Sequence, residues 1–243
     1  MPSKIKPAVL VTEEQPLEEQ KLPQNWPEGI TYLTDHTYSD AVTTEQKTAL
    51  SRTLSDDATW IQVRASEIES PSKNVEIKVI TDEKHPACGQ RGIFAAHSLI
   101  PDSFILLYLG HVHTNALSDT DSKSDYDLNL DGELGLSVDG VNSGNESRHA
   151  NDYRGISERP NAEFRDCYVQ VPSARRAGGM KWERRVAIFV LSAGNAGKRK
   201  AGIKAGEEIL VNYGKSYWEA RKRIASFRHD EAMLKIASLA LEG

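Results

Sequence analysis

The chain has 243 residues, which at roughly 150 residues per domain allows one full core and a smaller flanking unit. A formal net charge of -5 (Lys+Arg 30, Asp+Glu 35) argues against general nucleic-acid binding, and 39% hydrophobic residues with 4 Trp, 8 Tyr and 5 Phe exclude a wholly disordered chain. No stretch approaches the roughly 18 to 20 apolar residues needed to span a membrane.

Residues 1–21 read as a flexible tail, with Pro at 2, 7 and 16, acidic pairs at 13–14 and 18–19, and no apolar period. No apolar run of secretory-signal length opens the chain, and its two cysteines, Cys88 and Cys167, cannot build a disulfide framework or a four-thiolate zinc site. A nuclear or cytoplasmic, non-secreted protein is expected. Residues 22–74 form an N-terminal flanking segment beginning at LPQNWPEGITYL. Within it, 43–54 (TTEQKTALSRTL) predicts a short helix capped by Thr43 or Thr44, with Gln46 or Lys47 in its first turn. Residues 65–74 (ASEIESPSKN) have the composition of a linker.

From Val75 the period changes. VEIKVI alternates apolar and polar, a strand signal, and IFAA, FILLYLG, YDLNL, LGLSVDG, RVAIFVLSA and EEILVNYG are further short β-like runs between turn residues. Many short strands without regular helices between them argue against a doubly wound α/β fold. His111 and His113 would share one strand face, with no third metal ligand near them in sequence. Residues 115–140 carry 1 basic and 7 acidic side chains, and residues 171–204 carry 9 basic and 1 acidic. Each run reads as a solvated face, or as an acidic dock for a basic partner beside a separate basic patch. Residues 215–241 predict a helix, with Tyr217, Ala220, Ile224, Phe227, Leu234 and Leu241 on one face.

No P-loop, HExxH pair or GxSxG elbow is present. Three segments stand out in order: GQRGIFA at 89–95 after a strand, GNESRHANDYRGISERPNAEF at 144–164, and GIKAGEEILVNYG at 202–214. With these motifs the chain resembles the SET-domain protein-lysine methyltransferases. Arg91, Gly92, Ile93, Phe94 and Ala95 match the family's opening turn, and Tyr108, Leu109 and Gly110 its Tyr-x-Gly strand end. Arg148, Asn151, Pro160 and Asn161 match the central motif, and Gly206, Glu207, Glu208, Ile209, Tyr213 and Gly214 the last. The resemblance covers about residues 75–214.

It implies a mainly β fold of short sheets with a threaded C-terminal segment: a SET domain at 75–214, a C-terminal helix at 215–243 and helical flanks on both sides. It implies transfer of a methyl group from S-adenosylmethionine to a protein lysine, without a metal. Tyr213 and Tyr126 take the catalytic positions and, with Phe164, line the lysine channel. Cofactor contacts fall to Arg91, Gly92, Ile93, Phe94, Tyr108, Arg148, Asn151, Asp152 and Trp218. The expected partner is a protein or peptide with a basic-flanked lysine, first of all a histone tail, drawn by the acidic run. Four features depart from the family: Asp152 stands for a His and Asn212 for an Asp, the Asn151–Pro160 segment is lengthened, and Cys-rich zinc flanks are missing. These departures motivate an alternative, a weak or inactive SET module that binds peptide or cofactor.

Overall fold

The computed structural model describes residues 21–52, 60–173, 179–194, 202–215, 217–219 and 221–222. The 1–20 part of the tail, the basic residues at 175–176 and 198–200, and the predicted helix beyond 222 lie outside these. In chain order come β1 (Thr31–Tyr32), β2 (Thr37–Tyr38), α1 (Thr44–Ala49), β3 (Ser51–Arg52), β4 (Ile61–Val63), β5 (Val75–Val79), β6 (Arg91–Ala95) and β7 (Phe104–Leu107). Then follow β8 (His111–Thr114), β9 (Asp127–Asp131), β10 (Leu136–Asp139), β11 (Ser143–Gly144), β12 (Asn151–Asp152), β13 (Ala162–Pro172), β14 (Met180–Val190) and β15 (Leu210–Val211). The architecture is mainly β. One sheet runs β2-β8-β10-β9 and another β3-β14-β13-β4 with β7 also on β14; β1-β11, β12-β15 and β5-β6 are two-stranded.

The β13–β14 hairpin is the longest pairing, in unbroken register from Ala162 opposite Val190 to Pro172 opposite Met180. The sequence reading passed over β13, because Arg165 and Asp166 interrupt its apolar pattern. Both charges are matched from other elements, Arg165 by Asp102 and Asp166 by Arg184, and Glu163 on the same strand also pairs with Arg165. The predicted helix at 43–54 closes early. Thr43 and Gln46 cap it reciprocally, but after Leu50 the chain joins β14 as β3. Strand pairing there outcompetes a further helical turn.

Residues 65–74, a linker by composition, are instead a packed segment. A 3₁₀ turn at Ala65–Glu67 opens it, the Ser72 amide donates to buried Glu146, and the Asn74 amide caps the Ile105 carbonyl on the free edge of β7. Polar side chains do here what an apolar pattern does elsewhere. The N-terminal segment is woven into the same sheets, since β1 pairs with β11, β2 with β8, β3 with β14 and β4 with β13. Arg185, only 3% exposed, ties it further through Asp35 at 2.8 Å, and Glu183 beside Arg185 accepts from the Tyr38 hydroxyl.

Three apolar clusters fill the interior. One gathers Ile77, Ile93, Ile105, Ile188, Ile203 and Ile209, a second Val63, Leu107, Val169 and Phe189, and a third Leu50, Val112, Leu130, Leu136 and Val138. Gly110 is required where the Tyr-x-Gly strand turns, because a Cβ there would lie 2.3 Å from the Asp139 carbonyl oxygen.

The C-terminal motif is gripped on two sides. Toward β6, the Gly206 amide donates to the Ala95 carbonyl, the Ala95 amide to that of Glu207, and the Ile209 amide to that of Ile93. On the other side β15 runs parallel to β12, Tyr153 donates to Val211, and Asn161 donates to Leu210. The 151–161 loop therefore holds the segment at both of its ends. Asn161 adds a side-chain staple, accepting from the Leu210 amide and donating to the Glu208 carbonyl, each at 2.8 Å. Asn161→Ala orphans both backbone groups and is expected to lower unfolding stability by about 2–3 kcal/mol, read by urea titration. A loss below about 0.5 kcal/mol would remove the staple from this role.

Candidate functional site

The grip described above brings distant segments around one cleft of about 470 Å³. That volume lies in the roughly 300–1,000 Å³ range of small-molecule sites. Its walls come from the turn before β6 (Pro86, Gly89, Gln90, Arg91), from Asp125 and Tyr126, from Arg148, His149, Asn151, Asp152 and Arg154, and from Tyr213, Tyr217 and Trp218.

Each wall is fixed by its own hydrogen bonds. Arg148 donates to the Gly140 and Val141 carbonyls at 2.8 and 3.1 Å, and its guanidinium lies 4.5 Å from the centre of the Tyr126 ring. No carboxylate pairs with it among the described residues, and burial pushes its pKa below the usual arginine value. Tyr126 is placed from behind: Tyr108 donates its hydroxyl to the Tyr126 carbonyl at 2.6 Å. Burial holds the Tyr108 phenol far above its ordinary pKa, so it remains a donor.

Asn151 donates to the Arg91 carbonyl and, at 2.9 Å, to Glu208. Glu208 in turn meets His85 at 3.1 Å. A Cβ on Gly92 would lie 2.7 Å from Glu208 Oε1 and 3.1 Å from Asn151 Nδ2. The glycine thus makes room for this polar joint. Asp152, 7% exposed, accepts from the Tyr213 amide, the Trp218 indole and Arg154. Tyr213 donates its hydroxyl to the Ala150 carbonyl at 2.8 Å, and burial pushes its pKa well above the usual phenol value. The phenol is held protonated, so it can orient and donate but is no base.

Seven of the residues named from the sequence therefore stand on the cleft: Arg91, Tyr126, Arg148, Asn151, Asp152, Tyr213 and Trp218. Five do not. Ile93 is fully buried in the core, and its carbonyl is taken by Ile209. Gly92 faces Asn151 and Glu208, while Phe94 bridges to Glu208 on the β15 side and lies under Lys78. Tyr108 and Phe164 stand behind Tyr126, edge to face at 5.6 Å. Sequence reading missed His85, His149 and Arg154, and it named Tyr217 only as part of the helix face. The Tyr217 ring meets that of Tyr213 edge to face at 4.9 Å.

The acidic run is largely spent inside the fold. Asp119 binds Ser39 and Thr114, Asp127 binds His113, Asp131 pairs with Arg184, and Asp139 binds Ser124. Asp125 receives the Tyr217 hydroxyl and pairs with Arg221 at the cleft rim. Within β14 the basic run is likewise paired, Lys181 with Glu183, Arg184 with Asp131 and Asp166, and Arg185 with Asp35 and Glu183, whereas Lys204 is exposed. His111 is exposed and bonds Thr37, whereas His113 is buried. Among the described residues no group of three or more metal-ligating side chains is assembled, and no helix is long and apolar enough to cross a membrane.

No family model and no curated protein sequence matches the chain. Among solved structures, it is similar to the Chaetomium thermophilum polycomb repressive complex 2, with 25% identity over 59% of this chain and a TM-score of 0.41. It is also similar to that complex, as ctPRC2, in an autoinhibited conformation bound to S-adenosylmethionine, with 23% identity over 65% of this chain and a TM-score of 0.42. A third match is the Chaetomium thermophilum complex bound to GSK126, with 21% identity over 64% of this chain and a TM-score of 0.40. The matches span only 16%, 17% and 18% of those chains.

Proposed function

We propose that the chain is an S-adenosylmethionine-dependent protein-lysine methyltransferase of the SET type, acting on a lysine with basic neighbours, in a histone tail as first choice. One observation carries the reading. Three of the four motif segments, far apart in sequence, meet the Tyr126 segment and the residues just after the last motif at one cleft, supplying Arg91, Arg148, Asn151, Asp152 and Tyr213 beside Tyr126, Tyr217 and Trp218.

The wall residues fit the cofactor. Arg148, a half-buried cation without a carboxylate partner among the described residues, suits the carboxylate of the methionine end. Trp218, its indole N–H spent on Asp152 and its ring beside Arg154, Tyr213 and Tyr217, supplies an aromatic edge to the cleft on the adenine side. Arg91, Asn151 and the 89–90 turn border the space between them. When bound, S-adenosylmethionine supplies the electrophilic methyl group. The chain's task is to deliver a neutral amine along the right line. A free lysine has a pKa near 10.4, and a wall of Tyr126, Tyr213 and Tyr217 disfavours the ammonium form by excluding water. The protonated Tyr213 hydroxyl orients the amine, and alignment rather than proton abstraction supplies most of the rate.

The substrate side rests on less acidic surface than the sequence count implies, because most of the run is bonded internally. Asp121 and Glu133 are without an ion pair among the described residues, and Asp125 stands beside Tyr126. Attraction of a basic peptide is therefore local and screened within about 8 Å at physiological salt.

The test is calorimetry with S-adenosylhomocysteine, together with radiolabelled methyl transfer into a whole-cell extract and mapping of the labelled lysine. Arg148→Met keeps the side-chain stem and removes the charge. It is expected to weaken S-adenosylhomocysteine binding by about tenfold to a hundredfold, the size of one lost charge-assisted bond. Binding without any methyl transfer would assign the chain to the non-catalytic alternative, and absence of binding would end the reading.

A further inference from the structure

The Asp152 carboxylate is the most heavily bonded group on the cleft wall. Oδ2 accepts from the Tyr213 amide at 2.8 Å and from the Trp218 indole N–H at 3.2 Å. Oδ1 accepts from the Arg154 amide at 2.9 Å, and Arg154 Nη1 spans both oxygens at 3.1 and 2.9 Å. The same Nη1 donates to Asn212 Oδ1 at 3.1 Å, and that oxygen also receives the Gly214 amide. The Arg154 guanidinium lies over the Tyr153 ring at 4.9 Å and the Trp218 ring at 5.6 Å. The carboxylate side chain is 5% exposed and its counter-cation 38% exposed, so the anion sits inside and is balanced from the rim.

We propose that Asp152 is a positioning residue, with Arg154 as its counter-ion, that clasps Tyr213 and Trp218 to β12 and so fixes these two stacked aromatic rings as one wall of the cleft. The relation between Asp152 and its ligand-facing neighbours rests on geometry alone. Its consequence for methyl transfer rests on the function proposed above. With its oxygens turned to Tyr213, Trp218 and Arg154, the carboxylate acts through these residues rather than on the ligand.

The clasp also joins three departures from the SET pattern into one arrangement. A carboxylate is present at 152 instead of 212, an uncharged acceptor stands at 212, and the lengthened 152–159 loop supplies the arginine that touches both. β12 and β15 are in parallel register with Asp152 opposite Val211, which puts 152 and 212 within reach of one guanidinium. A lost charge at 212 is therefore matched by a gained one across the strand pair. The departures preserve an ordered site rather than dismantle it.

The test uses the full chain and three variants, Asp152→Asn, Arg154→Met and Arg154→Lys. The first readout needs no cofactor: acrylamide quenching of Trp218 emission, taken as the difference between each protein and its Trp218→Phe counterpart. Asp152→Asn and the surface variant Arg154→Met are each expected to raise Trp218 quenching, and Arg154→Lys to restore it to near the native value. The second readout is S-adenosylhomocysteine affinity, expected to fall about tenfold in Asp152→Asn, the size of one charged hydrogen bond. Unchanged Trp218 quenching in both Asp152→Asn and Arg154→Met overturns the clasp, whatever the affinity does. If the native protein binds no S-adenosylhomocysteine while quenching responds as expected, the clasp stands and the methyltransferase reading falls.

Discussion

Tyr213→Phe is expected to leave the fold intact and to lower methyl transfer by about tenfold to a thousandfold, the effect of losing one positioned polar group in a water-excluded site. The ring keeps its place without the hydroxyl. It packs on the core cluster of Ile93, Ile105 and Ile209, meets Tyr217 edge to face, and its backbone amide is held by Asp152. The hydroxyl donates to the Ala150 carbonyl, so its removal costs about 1 kcal/mol of stability, small against the roughly 5–15 kcal/mol of a folded domain. Turnover of label from S-adenosylmethionine, melting temperature and S-adenosylhomocysteine affinity should be measured side by side. The expected pattern is a large fall in kcat, a melting shift of a few degrees and an unchanged dissociation constant. Turnover at the native rate would remove Tyr213 from the chemistry. Loss of turnover together with cofactor binding would instead mark it as a strut for the cleft wall.

That expectation draws on a residue legible in the sequence, and its neighbourhood shows where legibility ends. Runs such as VEIKVI and RVAIFVLSA became β5 and β14 because their apolar residues face clusters that any sheet of this size must fill. β13 was hidden by Arg165 and Asp166, whose partners Asp102 and Arg184 are far from them in sequence. EEILVNYG was readable as a strand, yet only Leu210–Val211 pair regularly, because the segment divides its bonds between β6, β12 and the Asn161 side chain. The same limit applied at the site. The SET resemblance pointed to the segments, but not to which atoms are used up within the protein. The backbone groups of Ile93 and Ala95 are spent on the C-terminal segment, which leaves the turn before β6 to border the cleft. Arg154 and His85 could not be singled out, since each acquires its meaning from a distant partner, Asn212 and Glu208 respectively.

His149 provides a large pH effect below neutrality, and its origin is again tertiary. It is 8% exposed, its Nε2 is without a hydrogen-bond partner among the described residues, and its ring packs edge to face on Trp26 at 5.7 Å. Burial, and then the guanidinium groups of Arg148 and Arg91, push its pKa from 6.5 down to about 3. In the unfolded chain the imidazole takes up a proton as pH falls through 6.5, and in the folded protein it does not. Stability from this group is thus complete above pH 6.5 and is lost on acidification toward the folded value. The loss is about 2 kcal/mol by pH 5 and roughly 4–5 kcal/mol by pH 3. Asp127 and Glu146 act in the opposite sense, because burial raises their carboxyl pKa values and acidification favours their folded forms. Comparing native protein with His149→Phe cancels both. Urea titrations at pH 7, 6 and 5 should show the native protein losing about 2 kcal/mol more than the variant. Parallel pH profiles would mean that His149 finds a partner or solvent in the folded state. The element released first on acidification should be the N-terminal segment. Trp26 joins His149 to Tyr32, whose hydroxyl donates to Glu146 on the same turn, so a charged imidazole loosens the contact that holds residues 26–32 beside Arg148.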